Sequence, residues 1–138
     1  MRASNYAGKA INITATTAAH AMSYKVTTIF GIPHGHAVAV CMRYVWEHLI
    51  NNDKKCTDTR GREYLKHTLD SIQSLISLGD FHRLMENLGM QYPISYNKAS
   101  QLEILTKSVN PVRLKNYPVS LNEKEIKDIY ERIIRNES

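Results

Sequence analysis

Four side chains within a span of seventeen residues could share one chemical centre: His20, Tyr24, His34 and His36. His20 and Tyr24 are spaced i, i+4, which sets both on one face of a helix. His34 follows fourteen residues after His20, inside Pro33-His34-Gly35, where a proline is tolerated at the opening of a new helix. If Pro33 or His34 opens that helix, the roughly 100° step per residue sets His34 about 40° from the centre of the apolar stripe and His36 about 120° away. The expectation is that His34 faces inward and His36 outward. Two neutral imidazoles brought together are the start of a metal site, and imidazole suits iron, zinc, copper and nickel alike. The plainer reading of each is a hydrogen-bonded core histidine. Two donors also fall short of the three or more protein ligands that a catalytic metal usually takes. His48, His67 and His82 are scattered and read as structural or surface residues. The chain contains no HExxH, GxSxG, P-loop or GxGxxG, and no nucleophile–base pair is suggested by its spacing.

The elements that must position these residues are helical. Ala37, Val40, Cys41, Tyr44, Val45 and His48 recur at the spacing of one helix face, with Arg43 and Glu47 on the other side. Asn51, Asn52 and Asp53 end that helix. A polar loop follows to about Thr59. Leu65, Leu69, Ile72 and Ile76 predict a second helix closed by Gly79. Asp80 is then the cap of a short helix carrying Phe81, Leu84, Met85 and Leu88, stopped at Gly89. Gln91 to Asn97 reads as an extended connection. A helix from about Ala99 to Val109 is broken by Pro111, and Arg113 to Ser120 reads as a second extended connection. Asn122 and Glu125 form a capping-box signature for the last helix. Leu121 and Ile126 can staple its start, and Ile126, Ile129, Tyr130, Ile133 and Ile134 make its buried stripe. No segment alternates with period two and no repeat is visible. The fold class is therefore all-α, a bundle of six or seven helices. Ala3 to Ile29 carries few charges, with only Lys9 and Lys25 past Arg2, and predicts a helix buried on most sides at the centre.

Composition narrows the function classes. At 138 residues the chain is one domain or part of a larger one, long enough to bury about two-thirds of its unfolded surface. The net charge of +5 is scattered. Lys54, Lys55, Arg60 and Arg62 are interrupted by Asp53 and Asp58, so they read as a solvated loop and not a nucleic-acid stripe. Cys41 lies on the apolar helical face, and neither it nor Cys56 falls in a metal or disulfide pattern, which suits a reducing cytoplasm. No signal-peptide h-region or apolar run of the ~18 residues a membrane span needs is present.

The run AGKAINITATTAAHAMSYKVTTIFGIPHGHAVAVCM, Ala7 to Met42, resembles the iron-containing alcohol dehydrogenase family within the dehydroquinate-synthase-like fold. It is similar to members with an Ala-His-Ala-(Leu/Met)-Ser-Tyr pattern followed by Gly-(Ile/Leu)-Pro-His-Gly-His-Ala-Val-Ala, among them reductases of phosphonate or similar aldehydes and ketoacids. The tail from Val109 through Pro118 to Leu121 is also similar to the family's C-terminal end. The resemblance implies an all-helical C-terminal domain that supplies most of a metal site, beside an N-terminal α/β domain that binds NAD(P). It implies iron, or zinc, held by an aspartate and three histidines, the last two of them at His20 and His34. The earlier Asp-x-x-x-His pair and the glycine-rich cofactor segment have no counterpart in these residues. Where many members carry a further histidine near the nicotinamide, this chain has Tyr24. It is the candidate catalytic residue, although a free phenol, with a pKa near ~10, is a poor base at neutral pH. Thr16, Thr17 and Ser23 are candidates for fixing the imidazole tautomers.

The resulting expectation is a single, incomplete helical domain over 1–138, with a metal-binding core at 7–42 and peripheral helices at 60–138. Its function would be that of the C-terminal metal-binding part of an iron-dependent, NAD(P)-linked alcohol dehydrogenase or aldehyde or ketoacid reductase, acting on a small alcohol or aldehyde and inactive as an isolated chain. The missing half would come from an N-terminal domain or a second chain, and a homo-oligomer fits as well. Two alternatives stand beside it. One is a sugar-phosphate cyclase of the same fold, although that branch typically has Glu after the glycine and a longer histidine spacing. The other is a non-catalytic helical interaction module that associates through an uncovered apolar helix.

Overall fold

The computed structural model describes residues 2–90 and 98–135. The chain folds into α1 (Arg2–Thr14), α2 (Ala18–Phe30), α3 (His34–Asn51), α4 (Arg62–Leu75), α5 (Leu78–Asn87), α6 (Lys98–Ser108), α7 (Pro111–Leu114) and α8 (Glu123–Arg135), with a 3-10 turn at Asp53–Lys55. Among the described residues there is no strand, only an isolated bridge between Cys56 and Val119. The all-α expectation holds, with eight α-helices among the described residues against the six or seven expected. The extended connection expected at Gln91 to Asn97 lies outside the described residues.

The core forms where α2 packs on α3, with α6 against α2, α8 against α3, and α6 and α8 against each other. Its centre is small on one side, with Ala18, Ala19, Ala21 and Ala37, and large on the other, with Tyr44, Tyr130, Leu105 and Ile133. The small residues let the α2 and α3 backbones approach closely. Two buried tyrosines tie distant elements together. The Tyr130 hydroxyl donates to the Met22 carbonyl at 2.8 Å, joining α8 to α2. The Tyr117 hydroxyl donates to the Val45 carbonyl at 2.9 Å and so is left to accept from His48 Nδ1 at 3.0 Å. His48 is thus structural. Burial pushes the Cys41 thiol up to about 12, the inert state of a core residue.

The last helix follows its sequence signals closely. All five residues of the expected stripe, Ile126, Ile129, Tyr130, Ile133 and Ile134, are buried, and Leu121 packs against the same core. Asn122 Oδ1 accepts from the Glu125 amide at 3.0 Å, and Glu125 Oε2 accepts from the Asn122 amide at 2.8 Å. Glu125 Oε1 also meets Lys55 Nζ at 2.6 Å and His48 Nε2 at 3.5 Å. Burial works to raise the Glu125 pKa. Lys55, the Asn122 amide and His48 outweigh it and hold the carboxyl below its ordinary value. A carboxyl depressed in the folded state stabilises above its unfolded pKa, near ~4.3, and loses that contribution as pH falls through the folded value. The expected result is that Glu125→Gln lowers the melting temperature at pH 7 but much less at pH 3, read as a flatter stability–pH profile on the acid side.

Several expectations need correction. Ala3 to Ile29 is not one central helix. Thr14 closes α1, Ala15 takes a left-handed φ of 58°, and α2 begins at Ala18. Only α2 is central; no residue of α1 is buried, and Tyr6 and Ile13 are 70% and 86% exposed. The β-branched run around Ala15 has weak helix propensity, which favours the break there. On α1 itself the roughly 100° step gathers Ala3, Tyr6, Ala7, Ala10 and Ile11 on one side and Arg2, Asn5, Lys9 and Asn12 on the other. The helix is therefore amphipathic, not apolar all round. Gly79 does not close α4. It lies inside α5, whose cap is Ser77, with Asp80 completing the capping box three residues on. Ser77 competes successfully because its hydroxyl accepts from the Asp80 amide. Arg43, placed on the outer side of α3, is buried beside the Tyr44 ring. The segment from Arg113 is not extended throughout: Pro111–Leu114 forms a turn of helix with proline at its start and Asn110 as its cap. In the basic loop, Arg62 pairs with Asp53 and Arg60 with Asp58, as a solvated loop requires.

Candidate metal centre

The break at Gly31–Pro33 between α2 and α3 sets the site. Gly31, with φ 65°, is the left-handed residue that ends α2, and a side chain there would be strained. Pro33 is the residue before α3, and His34 is its first helical residue. The two helices therefore run back along each other, and His34 at the start of α3 returns to the α2 face that carries His20 and Tyr24.

The rings of His20 and His34 stand edge-on, with centroids 5.8 Å apart and planes at 62°. Two imidazoles bound to one ion at ~2.1 Å hold their centroids roughly 5–6 Å apart, so this separation suits a shared metal. Tyr24 stacks on His34, centroids 5.1 Å apart at 27°. Thus the three residues singled out by spacing come together. The expected orientation of His34 is corrected: it is exposed, and His36 is half-buried. The helix opens where the sequence indicated, but its first residues, His34 and Gly35, are exposed.

Among the described residues no side chain hydrogen-bonds to a ring nitrogen of His20 or His34. Burial, then the neighbouring His34, then Arg113 lower the His20 pKa. That keeps the imidazole neutral, the form that binds metal. The candidate tautomer-fixing residues do other work. The Ser23 hydroxyl donates to the His20 carbonyl at 3.0 Å, and the Thr16 carbonyl accepts from Asn116 Nδ2 at 3.3 Å. Thr17 precedes α2 without a side-chain cap bond.

Arg113 is the site residue that sequence reasoning missed. Its Nη1 donates to the Tyr24 hydroxyl at 2.6 Å, and its guanidinium carbon lies 4.6 Å from that ring's centroid. The contact joins residues 89 apart in sequence. The available signal was Asn110-Pro111, a helix start that turns Arg113 back toward α2.

No group of three or more His, Cys, Asp or Glu side chains is gathered for a metal among the described residues. The two imidazoles are donors of a kind that transition metals take, but fewer than the three or more protein ligands a catalytic metal usually has.

Residues 1–134 match the Fe-containing alcohol dehydrogenase family, C-terminal. The chain is similar to an iron-containing alcohol dehydrogenase from Thermotoga maritima, with a TM-score of 0.64 and 25% identity over 91% of this chain and 31% of that one. It is also similar to a phosphonoacetaldehyde reductase from Streptomyces viridochromogenes, 33% identical over 73 residues. That match spans 51% of this chain and 18% of the reductase. The family match sets the cyclase alternative aside. No helix among the described residues is long and apolar enough to cross a membrane. With a helical bundle of matching shape and its two histidines brought ring to ring, the chain belongs to the Fe-containing alcohol dehydrogenase family, as its C-terminal part.

Proposed function

We propose that this chain is the metal-binding C-terminal part of an iron-dependent, NAD(P)-linked reductase of small aldehydes or ketoacids, and that His20 and His34 are two of the metal's protein ligands. The observation that carries this reading is the 5.8 Å pairing of two imidazoles from separate helices, whose ring nitrogens bond no side chain among the described residues. A bound iron or zinc ion would polarise a carbonyl oxygen, with hydride supplied by the nicotinamide. The chain's own part is to hold the two imidazoles in register through the α2–α3 packing, and to keep Tyr24 fixed between His34 and Arg113. From there the phenol can hand on a proton at the edge of the site. The remaining donors and the nucleotide site are assigned to protein outside these residues, a preceding domain or a second chain. The bare apolar side of α1 is consistent with such a partner. The relative's printed name, a phosphonoacetaldehyde reductase, supports a small aldehyde substrate.

The test is anaerobic titration of the chain with Fe(II), and separately with Zn(II), followed by thermal unfolding. Saturable stabilisation is expected, with affinity falling about 100-fold or more in His34→Ala, since even outer-shell changes cost 10–100-fold. Stabilisation that survives unchanged in His34→Ala, or none in the parent chain, would contradict the assignment. The chain alone is expected to show no metal-dependent NAD(P)H oxidation with small aldehydes, and turnover by it would overturn that part of the reading.

A further inference from the structure

Arg113 is held differently from four other arginines of the chain. Arg60, Arg62, Arg83 and Arg132 each meet a carboxylate. Arg113 meets none among the described residues. Its guanidinium instead lies over the Tyr24 ring, held there by the 2.6 Å bond to the hydroxyl. A guanidinium has five N–H donors in a planar fork, so one bond to Tyr24 leaves most of the fork unused. The side chain is exposed, yet both its ends are fixed. Asn110 accepts from the Val112 amide at 2.9 Å, and Pro111 opens the helical turn that carries it. The ring beneath it is in turn stacked on His34. The centre so formed has no acid among its described members: two imidazoles, a phenol and one permanent cation. The first N–H groups of α3, with no side-chain cap, add potential of the same sign beside His34.

We propose that Arg113 is a specificity-determining residue that binds the oxyanion end of the substrate, a carboxylate or phosphonate, and so orients the other end of a small bifunctional aldehyde toward His20 and His34. The placing of that second end rests on the reading of those histidines as metal ligands; the anion binding itself does not. A planar fork pre-set on an aromatic face matches an oxyanion in two-point contact, and it arrives with little side-chain freedom left to lose.

The experiment titrates the chain, metal-free and Zn(II)-loaded, with methylphosphonate, and with tert-butanol as the neutral control. Binding is read from the NMR signals of the Tyr24, His34 and His20 rings. Saturable shifts are expected with methylphosphonate and not with tert-butanol. Arg113→Met should weaken binding about tenfold or more, with Arg113→Lys in between because it keeps charge but loses the fork. Zn(II) should bind Arg113→Met no more weakly than the parent chain, because the substitution removes a cation beside His20. Equal methylphosphonate binding by Arg113→Met and the parent, or no saturation in the parent, would overturn the proposal. Failure of Zn(II) to bind either form would instead count against the metal reading, because the metal-free titration still decides the role of Arg113.

Discussion

Ile133→Ala is expected to destabilise the chain by about 2–5 kcal/mol, the range for emptying a fully packed aliphatic site. Ile133 has no exposed surface. It stands in the last turn of α8, three residues beyond Tyr130, whose hydroxyl ties α8 to Met22 of α2. A cavity there removes dispersion contacts from the layer where α8 meets the rest of the core, and rigid neighbours close over it only in part. Against a typical total of about 5–15 kcal/mol this is a large share. Urea unfolding followed by circular dichroism checks it. A midpoint shift worth less than ~1 kcal/mol would mean that α8 is not docked as described.

The second large effect links packing to the site. Ala37→Leu is expected to cost about 1–3 kcal/mol by overpacking and to weaken Zn(II) binding tenfold or more. Ala37 is fully buried one turn after His34, where α3 lies against α2. The close approach of the two helices depends on small residues here. Adding three carbons drives the α3 start away from α2 and separates the imidazoles that its first turn and His20 present. Ile133→Ala, by contrast, should cost stability while the metal affinity of the folded protein changes little. Measuring both quantities in both variants separates a general loss of stability from a displaced site. Equal metal affinity in Ala37→Leu and the parent would show that the α2–α3 spacing does not set the pair.

How much of this was legible in the sequence depended on range. The capping box of α8 lies within four residues, Asn122 to Glu125, and its physics is local, so both the cap and the buried stripe could be read directly. The His20–Tyr24–His34 grouping was legible for a related reason: i, i+4 spacing and a proline-marked turn decide which side chains meet. What failed was whatever depended on neighbours. His34 was assigned an inward direction from helix phase alone, but phase does not tell whether any element covers the first turn. Arg43 sits on the polar side of its helix by pattern, yet it is buried beside Tyr44. Low charge from Ala3 to Ile29 points to a single central helix. It is instead one buried helix and one amphipathic helix, separated by a left-handed Ala15 that propensity could only hint at. Ser77 outcompeted Gly79 and Asp80 as the boundary signal because a hydroxyl satisfying an orphan amide is worth more there than glycine's freedom. Arg113 was invisible as a site residue because its partner, Tyr24, lies 89 positions away. No pattern within one helix could pair them.

The central claim is that His20 and His34 bind one metal ion together. The direct measurement is the long-range 1H–15N NMR spectrum of the histidine rings during Zn(II) titration of the chain. The account predicts that one ring nitrogen of His20 and one of His34 shift together and saturate at one ion per chain, or per assembled site, while His36, His48, His67 and His82 keep their signals. Independent shifts of the two rings, or a response centred on any other histidine, would contradict it.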